Sequence, residues 1–199
     1  LATGGLLAIT LGEDVGGSGL DAVALAILLR AQGNHVAPLP LLPHGVASLA
    51  VERFGSGEQR RHLLPGCADG SIVLTVAVQE YLDDRTREPA VRVAEGGLHG
   101  TKIVVEAADL AGHAVVTAIG EDGPGLFLVD LSANGITRTE GRSTRLEPLW
   151  ELEFDGTPAN PLGAGGSTSV DWLVDHLLMG ICATQLGVTE QALRMTPGS

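Results

Sequence analysis

Cysteine is scarce in this chain: Cys67 and Cys182 are the only two among 199 residues. Two thiols so far apart give neither a disulfide framework nor a cysteine metal cluster, and a reducing cytoplasm is their simplest compartment. Basic side chains are also few, 12 Lys and Arg against 24 Asp and Glu, for a formal charge of −12. That balance argues against a nucleic-acid surface, because phosphate binding needs clustered cations that displace counterions. Long apolar runs are missing too. The longest, from Ala22 to Leu29, falls far short of the ~20 residues that cross a bilayer, and no basic segment leads into an apolar one near the start. Neither a membrane span nor an export signal is expected. His35, His44, His62, His99, His113 and His176 show no i,i+4 pairing and no carboxylates at ligand spacing, so no metal site is expected. The absence of a Gly-x-Ser-x-Gly elbow removes support for nucleophilic hydrolysis.

What is present is enough apolar sequence, 44% of residues, to bury a sizeable core. Two compositions meet near residue 70. Before it, Ser18 with Asp21 three residues on opens a helix whose apolar stretch over 22–29 is nearly all-round, which predicts burial. Pro38, Pro40 and Pro43 break the chain. A second helix over 45–54 ends at Gly55, suited to a left-handed cap. Ser56 and Gln59 have capping-box spacing and open a short helix over 57–64, closed by Pro65 and Gly66. Beyond residue 70, β-branched stretches over 72–78, 102–105, 114–118, 126–131, 136–139 and 149–154 alternate with glycine turns at 96–97, 120–125, 134–135 and 155–156. This pattern predicts a compact antiparallel sheet, sandwich or barrel. After the glycine-rich stretch 163–166, a helix over 169–195 presents Leu173, Leu177, Ile181 and Leu186 without an obvious partner in the chain. The fold class is α+β: a helical segment over 1–70, a β-domain over 71–162, and over 163–199 the start of an incomplete helical bundle.

Several motifs reduce to structural readings. Gly16-Gly17-Ser18-Gly19 opens a helix as phosphate-cradling loops do, but lacks the preceding strand and the Gly-Lys-Ser/Thr ending of a P-loop, which leaves a tight turn. Arg138, Arg142 and Arg145 read as a solvated hairpin edge in preference to an anion site. Glu80, Asp83 and Asp84 could divide acid and base work if their pKa values were driven apart, although a solvated loop is the simpler reading.

Four phrases, in order, resemble the acyl-CoA dehydrogenase family. Gly4-Gly5-Leu6-Leu7 followed by Leu11-Gly12-Glu13-Asp14-Val15-Gly16-Gly17-Ser18-Gly19-Leu20 is similar to aGLlgi…lPEeyGGsGl, with Gly12 replacing the proline. The run from Phe54 to Pro65 is similar to GteeQkrryLP, and Asp69-Gly70 leads into a strand as that phrase continues. Leu98-His99-Gly100-Thr101-Lys102 resembles the LnGtK turn, and the run from Leu186 to Leu193 resembles the opening of the C-terminal helical domain.

The resemblance implies a helical domain, a β-domain and a C-terminal bundle that hold FAD, with a glutamate taking the α-proton of an acyl-CoA while a hydride leaves the β-carbon. It places the flavin contacts at Val78 and Gln79, in the strand end Ala77-Val78-Gln79-Glu80-Tyr81 that usually reads A-L-T-E-P, and at Val104, Val105 and Glu106, where W-I-T/S usually stands. The aromatic wall and the small hydroxyl are thereby replaced, and the family's next Gly-Ser-Asp is missing. A buried glutamate beside a flavin is costly unless paired or protonated. One family position for the base falls at Leu177, with Leu178 where an arginine often stands, and neither can move a proton. The implied partners are an acyl-CoA substrate, a homologous acyl-CoA dehydrogenase chain or a second copy, and an electron-transfer flavoprotein as acceptor. The competing expectation is a non-catalytic scaffold subunit that keeps the fold without flavin chemistry.

Overall fold

The computed structural model describes residues 4–81, 85–144, 147–163 and 166–196. Asp83, Asp84, Arg145, the middle of the 163–166 glycine stretch and the last three residues lie outside the described residues. The chain forms helices α1 (Ala22–His35), α2 (Leu41–Phe54) and α3 (Gly57–Asp69), then strands β1 (Leu74–Ala77), β2 (Arg92–Ala94), β3 (Gly97–Glu106), β4 (His113–Gly120), β5 (Gly123–Asp130), β6 (Ile136–Arg142), β7 (Pro148–Thr157) and β8 (Asn160–Leu162), and last α4 (Ser167–Met195). This is an α+β fold.

The helix ends follow local chemistry, with corrections to the sequence reading. Asp21, not Ser18, is the N-cap of α1, its carboxylate accepting from the N–H groups of Val23 and Ala24. Helix α1 is not buried all round: Leu25, Leu29 and Gly33 are covered, while Val23 and Ile27 are 63% and 64% exposed, because only one side has a neighbour. Helix α2 starts four residues early and takes Pro43 into its first turn, where the missing N–H costs no hydrogen bond. Gly55 has φ −65°, so it is not a left-handed cap; it is small because a Cβ there would meet the Val51 carbonyl oxygen at 2.4 Å. Ser56 and Gln59 do form a reciprocal capping box. Pro65 and Gly66 do not end α3, which runs through them to Asp69 and stops at Gly70 with φ +80°. The hydrogen bond lost at Pro65 is offset by burial of Leu63, Leu64, Cys67 and Ala68 around it.

The strands make one sheet in the order β6-β7-β3-β2-β4-β5-β8, with β1 paired to β4. The sheet is open, so the barrel alternative does not hold. Most pairs are antiparallel as the turns predict, but β1 and β2 both run parallel to β4. Strands β2 and β8 have no signature in the sequence: each is three residues long, too short for a pattern. The glycine turns fall where expected, with Gly96, Gly123, Gly135 and Gly156 all at positive φ.

Two cores result. One lies between the helices and the sheet and contains Leu29, Val46, Leu64, Leu74, Val115 and Leu173. The other is enclosed by the sheet itself and contains Leu98, Val105, Val116, Phe127, Leu152 and Phe154. Alternation divides β4 between them, with Val115 on the helix side and Val116 on the other. Leu173 is fully buried and Leu177 packs on the helical core, so half of the helix face expected to lack a partner is covered within the chain; Ile181 and Leu186 stay 43% and 50% exposed. Arg138 is likewise not a free edge cation, since its guanidinium donates to the carbonyls of Ala108 (2.8 Å) and Leu131.

Candidate functional site

The site grows from the end of β1. Beyond Ala77 the chain continues extended, and Gln79 bridges Ile103 of β3, the Ile103 N–H donating to the Gln79 carbonyl at 2.9 Å. Behind this bridge lies Lys102, whose side chain has no solvent exposure. Its ammonium donates to Glu80 Oε1 at 2.6 Å, Thr117 Oγ1 at 2.9 Å and the Val78 carbonyl at 3.3 Å. The Glu80 carboxylate also accepts from the N–H groups of Ala90 (2.8 Å) and Val91 (3.1 Å). Burial pulls the Lys102 ammonium below its usual range and Glu80 opposes that shift. Glu80 is therefore a structural anchor tying β1 to β3 and to the approach to β2, not a solvated loop carboxylate.

The β3 backbone is irregular just where it faces the helices. Its register against β7 slips between Lys102 and Val105, and Val104 sits at φ +56°, rare for a β-branched residue. The bulge turns Val104 outward, 46% exposed, and Val105 into the sheet core at 0%. Glu106 follows, its carbonyl accepting from Thr75 Oγ1 at 2.6 Å.

Opposite this wall stand Leu42 and Pro43 of α2 and Leu177, Leu178 and Ile181 of α4, and with Val78, Gln79, Val104 and Glu106 they enclose an inner cavity of about 220 Å³. Thr86 closes one side. The next residue, Arg87, pins that segment to α4, donating to Asp171 Oδ1 at 3.0 Å and to Asp175 Oδ1 at 2.6 Å, one helical turn apart. An outer cavity of about 380 Å³ shares Leu42, Glu106 and Ile181 in its wall and extends to Gln32, Leu39 and Thr184.

Four of the five cofactor positions implied by the resemblance thus meet in one cavity: Val78, Gln79, Val104 and Glu106. Val105 does not line it, because the bulge assigns its side chain to the core. Leu177 and Leu178 face the same cavity, so the position implied for the base is in place without a base. Sequence reasoning missed Lys102 as the anchor of this wall, along with Leu42 and Thr86. The signal for Lys102 was a lone lysine in an apolar strand, and only the fold shows which carboxylate meets it.

The family resemblance implies a flavin against this wall. The inner cavity is smaller than the roughly 300–1,000 Å³ of typical small-molecule seats. Its one ionisable lining residue, among the described residues, is Glu106. An isoalloxazine gains negative charge on reduction, which a neighbouring carboxylate opposes. These residues do not fit a flavin held by this chain alone.

Residues 1–71 match the family described as acyl-CoA dehydrogenase, N-terminal domain. The chain is 32% identical over 202 aligned residues to the acyl-CoA dehydrogenase FadE27 of Mycobacterium tuberculosis, an alignment covering 98% of this chain and 53% of that one. Among solved structures it resembles the Tcur3481-Tcur3483 steroid ACAD at 42% identity and TM-score 0.91, covering 98% of this chain and 54% of that one. It also resembles the ChsE4-ChsE5 complex from Mycobacterium tuberculosis at 28% identity and TM-score 0.86, with the same coverages of 98% and 54%. The chain spans about half the length of the curated relatives it matches. With its four phrases, its helical and β layers and the cavity between them, the chain belongs to the acyl-CoA dehydrogenase family.

Proposed function

We propose that this chain is a subunit of an acyl-CoA dehydrogenase assembly that carries out α,β-dehydrogenation of an acyl-CoA thioester. The FAD seat and the proton-accepting carboxylate are completed by a companion chain, either a homologous dehydrogenase or a second copy. One observation carries this reading: Val78, Gln79, Val104 and Glu106 on the sheet wall face Leu177 and Leu178 on α4, so the family's site is laid out while the α4 residues that line it, Val174, Leu177, Leu178 and Ile181, include none able to take a proton. The likeness to two solved structures whose names join two components, one of them a steroid ACAD, supports a two-chain assembly and a bulky acyl group. In this reading the inner cavity is the part of the flavin wall that this chain supplies, Val105 contributes only through its backbone, and the units 1–70, 71–162 and 163–199 act as helical domain, β-domain and start of the bundle. Electrons pass to an electron-transfer flavoprotein in the cytoplasm.

The test is an absorption spectrum of the protein co-purified with a co-expressed partner, beside the chain alone. Oxidised-flavin bands in the complex only, bleached by an acyl-CoA at a rate that falls when this chain is omitted, support the proposal. No flavin in either sample favours the second reading, a non-catalytic scaffold subunit, which Leu177 and the carboxylate of Glu106 at the flavin wall already commend.

A further inference from the structure

We infer that His44 is a positioning residue, an acid-sensitive clip that fixes β1 and, through β1, the bulge of β3 in the inner cavity wall, whatever that cavity takes. His44 is 3% exposed on α2, and its Nδ1 accepts the N–H of Leu74, the first residue of β1, at 3.2 Å. A ring nitrogen that accepts carries no proton, so the neutral ring keeps its hydrogen on Nε2. Nε2 is buried without a hydrogen bond of ordinary geometry among the described residues, and the Cys67 backbone of α3 lies against the ring. His44 thereby joins α2, the last turn of α3 and the start of β1. Protonation sets a second N–H against that of Leu74, donor facing donor in a buried place.

Strand β1 carries the effect to the wall. The Thr75 hydroxyl donates to the Glu106 carbonyl at 2.6 Å, and the Gln79 carbonyl accepts the Ile103 N–H at 2.9 Å. These two bonds bracket the bulge, where Val104 sits at φ +56° and Ala107 follows at φ +54°. Neither is glycine, and such backbone persists only where its surroundings hold it. On the other edge β7 pairs with Val105 and Glu106, so loss of the β1 bonds frees Ile103 and Val104 first.

Burial lowers the His44 pKa, and the Cys67 backbone opposes that shift. The folded ring therefore titrates below the unfolded value of about 6.5: the clip is closed above that pH and opens as pH falls through the folded pKa. The titratable groups on the surrounding elements are engaged elsewhere, with one exception. On α3, burial pushes the Cys67 thiol up to about 11, and the Asp69 carboxylate accepts the Ser71 N–H. Glu52, two turns along α2, accepts the Gly12 N–H. On α4, Asp171 and Asp175 take Arg87 and His176 stacks on Trp172, while on α1 Arg30 takes Glu190 and His35 bonds to the Ala31 carbonyl. Residues 74–77 of β1 include no titratable group. The exception is His113 of β4, which pairs with Leu74 in register and whose pKa burial also lowers.

The test is hydrogen–deuterium exchange of the whole chain down a pH series, resolved to residues 74–79 and 103–107, in the wild type, His44→Asn, His113→Asn and Thr75→Val. Comparing variants at equal pH removes the chemical pH dependence of exchange, and Asn keeps an acceptor near the Nδ1 position without titrating. Below the His44 transition both segments of the wild type are expected to exchange about ten-fold faster than in His44→Asn, while the rest of the chain keeps its protection. His113→Asn should retain this step. Thr75→Val should retain it in 74–79 and weaken it in 103–107. Equal exchange in the wild type and His44→Asn at every pH overturns the clip, as does a step shared by every segment, which is global unfolding. A step in 74–79 without one in 103–107 overturns the coupling to the wall. A step lost in His113→Asn and kept in His44→Asn belongs to His113 and overturns the role of His44. Thermal unfolding checks that each variant is folded, and if His44→Asn is not, the wild type against His113→Asn and Thr75→Val carries the test.

Discussion

Lys102 is the largest side chain without solvent exposure among the described residues, and its ammonium is tolerated only because three oxygens meet it. Removing one member of such a pair leaves a buried charge uncompensated. Lys102→Met by itself should cost about 3–5 kcal/mol in urea unfolding, and Glu80→Gln combined with Lys102→Met should recover part of that loss. A second buried group gives a pH signature. His44 is 3% exposed, its Nδ1 accepts the Leu74 N–H at 3.2 Å, and burial lowers its pKa below the usual 6.5. The unfolded chain then binds a proton more readily than the folded one, so stability falls as pH drops through the unfolded value of about 6.5 towards the folded pKa. His44→Asn keeps an acceptor near the Nδ1 position and does not titrate. Its melting temperature should decline less steeply than the wild type's below that pH, the remaining slope including His113, which burial also lowers. Cys67 and Cys182 differ for the same reason: burial pushes the Cys67 thiol up to about 11, while Cys182 is exposed. A thiol reagent at neutral pH should modify Cys182 in the folded protein and reach Cys67 only after unfolding.

At the scale of elements, the decisive contact is α1 against α4. A Cβ at Gly33 would lie 2.1 Å from the Thr184 carbonyl oxygen, and one at Gly187 would lie 2.0 Å from that of Arg30. The two backbones therefore touch where the glycines sit, and Arg30 clamps the crossing by donating from Nε to Glu190 Oε2 at 2.9 Å. Gly33→Ala or Gly187→Ala has to push the helices apart. Each should destabilise the chain by about 1–3 kcal/mol in denaturant unfolding, more than the gain in helix propensity returns. Because α4 also carries Leu177, Leu178 and Ile181 into the cavities, the same variants should weaken binding of an apolar probe there. Arg30→Ala should cost less, since the ion pair is solvent-exposed on the Arg30 side.

At the scale of the whole molecule, two cores are filled, while Val23, Ile27, Leu186 and Leu193 on α1 and α4 stay exposed. Apolar side chains of this size on neighbouring helices invite association despite the net charge of −12, whose long-range repulsion salt screens beyond about 10 Å. Studied by itself, the chain should show concentration-dependent association in light scattering, reduced in Ile27→Lys or Leu186→Lys without loss of thermal stability. No helix among the described residues is long and apolar enough to cross a membrane.

The sequence alone determined the class of the fold, because helix and strand periodicities, caps such as Ser56 with Gln59 and positive-φ glycines at hairpins act over a few residues. Through the resemblance of its phrases it also pointed to Val78, Gln79, Val104 and Glu106, which share one cavity wall. It misjudged Pro65, since burial of the flanking Leu64 and Cys67 outweighs a local helix breaker, and it misjudged α1, whose exposed apolar side chains carry no mark of which neighbour is present. Only the tertiary structure decided that β1 and β2 lie parallel to β4, that Glu80 answers Lys102 across 22 residues, that a bulge hides Val105 while exposing Val104, and that Glu106 joins two cavities. Each of these depends on groups brought together from distant parts of the chain, where desolvation and packing, not local preference, set the energy.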